Sequence, residues 1–205
     1  MTTRLLDALA DVGQRLTARG QRWALIGGLA VSARAEPRFT RDVDLAVAVD
    51  DDATAEALVA DLVAGGFTLV LSLEQRALDR LATVRLLPPG ETGAGILIDL
   101  LFASSGIESE ICRDAEPIEL VAGLTVPVAT VGHLLALKVL AAEPDRPQDA
   151  IDIQSLTRVL TPGERARCEE AVRHIEAAEA NRGKPLTTIL AAVLAANVDR
   201  RRGEE

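Results

Sequence analysis

The segment Asp42-Val43-Asp44-Leu45-Ala46-Val47-Ala48-Val49 decides the reading of this 205-residue chain. Asp42 and Asp44 stand two apart, and Val43, Leu45, Val47 and Val49 fill the alternate positions. A period of two is a strand, with both acids on one face and the branched apolar residues on the other. Upstream, Trp23-Ala-Leu-Ile is a short apolar run that stops at Gly27-Gly28, as a buried strand does, and a helix over 29–34 follows. Downstream, Ile96-Leu-Ile-Asp99-Leu-Leu-Phe sets one carboxylate inside another apolar strand.

Helices and strands alternate around these segments. A first helix is predicted over 5–19 and another over 53–64, the latter stopped by Gly65-Gly66. Further strands are predicted over 67–71 and 81–87, with Pro88-Pro-Gly-Glu-Thr-Gly-Ala-Gly as a hairpin connection. From Thr130 the apolar spacing becomes helical, predicting helices over 130–142, 149–160, 162–180 and 186–198. Thr161-Pro-Gly-Glu is a capping box with proline at the first helical position. The charged tail from Asp199 is expected to fray. The expected fold is α+β, a mixed β-sheet flanked by helices, followed by a helical C-terminal region. The border falls near residue 125, giving a catalytic domain over 1–125 and a helical part over 126–205.

Composition narrows the function. Aromatic residues make up 2% of the chain, with no Tyr, one Trp and three Phe, so platforms for stacking single-stranded bases are not expected. Cys112 and Cys168 lie far apart and read as small buried apolar residues rather than a zinc knuckle or a disulfide framework. No apolar run approaches the roughly 18 residues of a membrane span, and the N-terminus does not read as a secretory signal. A cytoplasmic protein without membrane contact is expected. The net charge of −9 argues against indiscriminate nucleic-acid binding, but it is unevenly placed. Residues 158–202 carry a net +3, so Arg165, Arg167 and Arg173 are the expected contacts for a polyanion.

The three acids carry the chemistry. A carboxylate buried at Asp99 is costly unless it is paired, hydrogen-bonded or bound to a cation. If the three strands are neighbours, Asp42, Asp44 and Asp99 converge, and their repulsion calls for divalent cations. Mg²⁺ (or Mn²⁺) suits oxygen ligands and substrate phosphates. Two such ions about 4 Å apart activate a hydroxyl and stabilise leaving pyrophosphate in an in-line displacement. Gly27-Gly28, a turn without side chains before a helix N-terminus, lets backbone N–H groups approach the phosphates of a nucleoside triphosphate (NTP).

These residues resemble the DNA polymerase β-like nucleotidyltransferase superfamily: a glycine turn, D-x-D, then a carboxylate on a third strand. The closer resemblance is to the AbiEii-type toxin nucleotidyltransferases, whose R-x-T-x-D-x-D lead-in is met by Arg38-Phe-Thr40-Arg-Asp42-Val-Asp44. Their helical lysine and following acids are met by Lys138 and by Arg146-Pro-Gln-Asp149-Ala-Ile-Asp152. The resemblance implies that Lys138 contacts the triphosphate, and a lone lysine on an apolar helix face wants an anionic partner. The alternative for Lys138 is a side chain reaching out to solvent. Arg38 is read as a phosphate clamp or a partner of Asp42 and Asp44, and Thr40 as a hydroxyl that positions the loop. Asp149 is read as a nucleotide-site acid or a helix N-cap, and Asp152 as the group that orients Lys138 or another basic residue. Arg41, His133 and His174 are read as ordinary residues.

The expected reaction transfers a nucleoside monophosphate from NTP to an acceptor hydroxyl and releases pyrophosphate. Asp42 and Asp44 are expected to hold both metals, and Asp99 to bind the catalytic metal and help deprotonate the acceptor. A tRNA 3′ end is the first acceptor, which makes the protein the toxin of a pair with a cognate antitoxin. An aminoglycoside-type small molecule is the second, favoured by an acidic cleft. A non-catalytic protein of this fold that binds a partner is the third reading, and three intact acids count against it.

Overall fold

A computed structural model describes residues 3–75, 80–92 and 95–203. In chain order the elements are α1 (Thr3–Ala18), β1 (Trp23–Ile26), α2 (Gly27–Arg34), β2 (Asp42–Val47), α3 (Asp52–Ala64), β3 (Thr68–Gln75), β4 (Arg80–Leu87) and β5 (Leu97–Leu101). Then follow α4 (Glu108–Asp114), β6 (Glu116–Val121), β7 (Leu124–Val128), α5 (Val131–Ala141), α6 (Pro147–Arg158), α7 (Pro162–Ala177) and α8 (Leu186–Gly203).

The strands form one seven-stranded sheet in the order β3-β4-β5-β2-β1-β7-β6. It is mixed, because β2 runs parallel to β5 and β1 parallel to β7, whereas β1–β2, β3–β4, β4–β5 and β6–β7 are antiparallel. One face is apolar: Val43, Leu45 and Val47 of β2 adjoin Ile98 and Leu100 of β5 and Val84 and Leu86 of β4, all buried. α1 closes on this face through Gly13, where a Cβ would stand 2.6 Å from the Trp23 ring. Thr17 Oγ1 accepts the indole N–H of that ring at 3.0 Å. The other face carries the acids, because β-strands turn alternate side chains to opposite sides.

The helical caps follow local sequence. Asp51 caps α3 by accepting from Thr54 N at 2.8 Å, and Thr161 caps α7 by accepting from Glu164 N at 3.2 Å. Glu164 itself bonds Gly132 N and Arg167, tying α7 to α5 rather than closing the box on Thr161.

Several boundaries differ from those read in the sequence. No elements were expected between 103 and 129, where α4 and the β6–β7 hairpin form; Pro117 and Pro127 interrupt the strand signal there, and β6 lies at the edge of the sheet, where proline is tolerated. Residue 125 lies inside β7, so the sheet extends to Val128 and the helical region starts at Val131. α8 continues through Gly203, past the point where fraying was expected. Within the 88–95 connection, residues 93 and 94 lie outside the described residues. The helical region is centred on α5, which packs against α2, α6, α7 and α8.

Candidate active site

Strand register builds the site. β2 and β5 pair so that Asp44 lies directly opposite Asp99, and Asp42, two residues earlier, shares their face. β4 pairs with β5 so that Arg85 lies opposite Asp99 from the other side. Arg85 forks both carboxylate oxygens, with Nε 2.8 Å from Oδ1 and Nη2 2.7 Å from Oδ2. The buried Asp99 therefore has its partner within the chain, a bidentate guanidinium. Arg85 was not singled out in the sequence; its signal was the alternation Leu81, Thr83, Arg85 opposite the buried Ala82, Val84 and Leu86.

Burial and crowding raise the remaining acids. Burial, then the Asp99 and Asp42 charges, push Asp44 up to about 6, opposed by Lys138 and by a hydrogen bond from the Gly28 backbone. Asp42 is raised by burial and by Asp99, against the pull of Arg85, Arg38 and Arg41. Pairing with Asp99 drives the Arg85 guanidinium further into its charged range.

Gly27 and Gly28 form the first turn of α2 beside these acids. Gly27 adopts φ +64°, a left-handed conformation open to glycine at little cost. At Gly28 a Cβ would stand 2.6 Å from Arg38 Nη2, so the absence of a side chain admits the guanidinium.

Arg38, Lys138, Asp149 and Asp152 meet in a second, balanced cluster. Arg38 Nη2 donates to Asp152 Oδ2 at 2.9 Å, and its Nε lies 2.7 Å from Oδ1. Lys138 Nζ bridges Asp149 Oδ1 at 2.9 Å and Asp152 Oδ2 at 2.7 Å. Arg38 thus pairs with Asp152 rather than with Asp42 or Asp44. Lys138 is 14% exposed, a half-buried ion-pair partner and not a solvent-reaching lysine. Asp149 is not an N-cap: α6 begins at Pro147 behind Arg146, and Asp149 lies in its first turn. Its Oδ2 is buried and accepts no hydrogen bond among the described residues. Together these neighbours hold Asp152 below the usual carboxylate range, through Lys138, Gln148 and Arg38 and against burial.

All the residues predicted for the catalytic and nucleotide sites except Asp152 line one cleft, with a cavity volume of about 530 Å³. Arg85 and Arg182 line it too, neither singled out in the sequence, as does Arg146, the arginine of the motif that holds Asp149 and Asp152. Thr40 Oγ1 lies 3.4 Å from Asp42 N, a weak brace for the loop. Arg41 lies over the exposed Phe39 ring at 5.5 Å. The histidines share one acid away from the cleft: His133 Nε2 and His174 Nδ1 lie 3.1 and 2.7 Å from the two oxygens of Glu110.

Arg165, Arg167 and Arg173, the expected polyanion contacts, lie on α7 and do not line the cleft. Arg165 pairs with Glu169 at 2.8 Å, Arg167 with Glu164 at 2.6 Å, and Arg173 donates to a backbone oxygen of Glu169. Acids one helical turn away answer the first two charges, so a segment count overstates the basic surface.

Asp42 and Asp44 fit the ligand set of a hard divalent cation: carboxylate oxygens on one face, with charges that nearby basic groups do not offset. Among the described residues no three His, Cys, Asp or Glu side chains stand together as a coordinating group, and both Asp99 oxygens accept from Arg85.

A mixed sheet with two acids on one strand, a third on its parallel neighbour and a glycine turn alongside defines a nucleotidyltransferase fold. The chain belongs to the AbiEii family: the model described as nucleotidyl transferase AbiEii toxin, type IV toxin–antitoxin system, matches residues 14–203. No curated protein sequence matches it. The fold is shared with an antigenic nucleotidyltransferase-like protein from Paracoccidioides brasiliensis, at 18% identity, TM-score 0.54 and 92% coverage of each chain. It is also shared with the antibiotic-resistance factor ANT(2'')-Ia, at 17% identity, TM-score 0.51 and 100% coverage of each chain. Among the described residues no helix is long and apolar enough to cross a membrane.

Proposed function

We propose that the protein transfers a nucleoside monophosphate from an NTP to the 3′-terminal hydroxyl of tRNA, in the cytoplasm, under the control of a cognate antitoxin. The observation that supports this most directly is the placement of Asp42, Asp44 and Asp99 on one sheet face beside the Gly27-Gly28 turn. Membership of a toxin family supports the antitoxin.

The chain's own groups divide the work. Backbone N–H groups of the glycine turn receive the triphosphate at a helix N-terminus. Lys138, braced by Asp149 and Asp152, adds a fixed positive charge, and Arg38 fixes Asp152 in turn. Asp149 Oδ2, buried and without a hydrogen bond among the described residues, faces Arg146 Nε at 3.8 Å. The acceptor oxygen forms a bond to the α-phosphorus, the bond to the β-phosphate oxygen breaks, and pyrophosphate leaves. The hydroxyl proton passes to a carboxylate of the acid cluster, with Asp99 oriented by Arg85. When bound at Asp42 and Asp44, Mg²⁺ or Mn²⁺ supplies Lewis-acid activation of the hydroxyl and charge neutralisation of the phosphates. A cationic small-molecule acceptor is less well matched, because Arg146 and Arg182 line the cleft.

Incubation with each labelled NTP, Mg²⁺ and either total tRNA or aminoglycosides tests the reading. Label should enter tRNA, pyrophosphate should appear, and a chelator should stop both. Label in the aminoglycoside alone would overturn the acceptor, and no label in either would overturn the reaction.

A further inference from the structure

Between α7 and α8 the chain holds an exposed arginine that lines the cleft. Arg182 lines it with Asp42, Asp44 and Asp99, and its Nη2 donates to Ser104 Oγ at 3.2 Å. Its backbone is left-handed, with φ 54°. A residue with a Cβ keeps that conformation only where its surroundings impose it.

The surroundings do so. Lys184 Nζ donates to the backbone oxygens of Leu140 and Ala142, both at 2.8 Å, and pairs with Glu143 at 2.7 Å. Asn181 Nδ2 donates to Lys184 O at 2.8 Å, and Ala180 and Leu186 at either side are fully buried. The loop is thus clipped to the C-terminal end of α5, the helix that carries Lys138.

The other basic side chains lining the cleft face acids: Arg38 pairs with Asp152, Arg85 with Asp99, and Lys138 with both Asp149 and Asp152, while Arg146 Nε lies 3.8 Å from Asp149. Among the described residues no carboxylate pairs with Arg182. A guanidinium presented on a fixed loop without a counter-charge is a site for an anion from outside.

Sheet order indicates which anion. β5 and β1 flank β2 on opposite sides; the glycine turn follows β1, and Ser104, which Arg182 contacts, follows β5. In-line displacement puts attacking and leaving oxygens on opposite sides of the phosphorus. With the triphosphate on the β1 side, Arg182 stands on the flank left to the acceptor. We infer that Arg182 is an acceptor-binding residue whose guanidinium takes a phosphodiester of the acceptor strand close to the reacting hydroxyl. This rests on the transfer to tRNA proposed above.

The test uses the full chain and total tRNA, with labelled NTP and Mg²⁺ for transfer and a non-hydrolysable NTP analogue for binding, and with Arg182→Asn and Arg182→Lys as variants. Asparagine removes the charge and tolerates the left-handed backbone, so the melting temperature should not fall. Arg182→Asn should raise the KM for tRNA about tenfold and reduce the log–log salt slope of tRNA binding by about one. The Kd of the NTP analogue should stay unchanged, and Arg182→Lys should recover part of the loss. Wild-type KM and salt slope in Arg182→Asn would overturn the inference, as would a weakened NTP analogue with tRNA binding intact. A wild-type protein that labels no tRNA would instead overturn the proposed function, and this inference with it.

Discussion

Gly27 lies against Asp44 so closely that a Cβ on the glycine would stand 2.5 Å from the carboxyl carbon, and nearer still to Oδ2. The glycine also needs φ +64°, which L side chains rarely adopt. Gly27→Ala should therefore strain the backbone by about 1 kcal/mol or more and displace the Asp44 carboxylate. Urea unfolding and transfer assays should show both losses together. Full activity in Gly27→Ala would mean that the turn does not position Asp44.

Asp42→Asn and Asp44→Asn should each lower transfer by orders of magnitude without lowering stability, because each removes one charge from a repelling cluster. Near-native transfer in both would remove them from the chemistry.

The raised Asp44 also sets a pH dependence. Its folded-state value of about 6 lies above the ordinary 3.8, so the folded protein binds the extra proton between these values. The stability this contributes is fully present below pH 3.8 and is lost as pH rises through 6; Asp42, shifted in the same direction, adds to the loss. In chelator, melting temperatures of the wild type should fall from pH 4 to 7 relative to Asp44→Asn, and Mg²⁺ should reverse the fall at pH 7. Parallel curves would show that the carboxylate cluster carries no such strain.

Lys138 holds two acids that are nearly buried, so Lys138→Met should cost about 3 kcal/mol of stability as well as nucleotide affinity. Adding Asp149→Asn should recover part of the stability and none of the affinity. Denaturant unfolding of the single and double variants gives the comparison, and a single variant as stable as wild type would contradict the ion-pair role.

Arg85→Lys keeps the charge and loses the fork, leaving one Asp99 oxygen without its partner. Transfer should fall about tenfold or more, with a smaller effect on NTP binding, as expected for misplacing a group in the reaction. Equal kcat in Arg85→Lys and wild type would make the fork dispensable.

Local periodicity determined much of this protein. Alternation in Asp42–Val49 places both acids on one strand face whatever the strand's neighbours, and the pattern around Thr161 starts a helix from contacts within four residues. Even the pairing of Arg165 and Arg167 with Glu169 and Glu164 is local, and a segment-wide charge count hid it. The lead-in Arg38-Phe-Thr40-Arg-Asp42-Val-Asp44, with Lys138 and the signature from Arg146 to Asp152, also carried the family.

The strand order and register came only from the tertiary structure. Nothing near Asp99 names Arg85 as its partner, because that pairing depends on the β4–β5 register across a turn. Arg38 and Asp152 lie 114 residues apart, and Arg182 reaches the cleft on a loop that Lys184 clips to α5. Secondary structure follows from neighbours along the chain, whereas which charges neutralise one another is fixed by packing between distant segments, where low solvent access makes each unpaired charge costly.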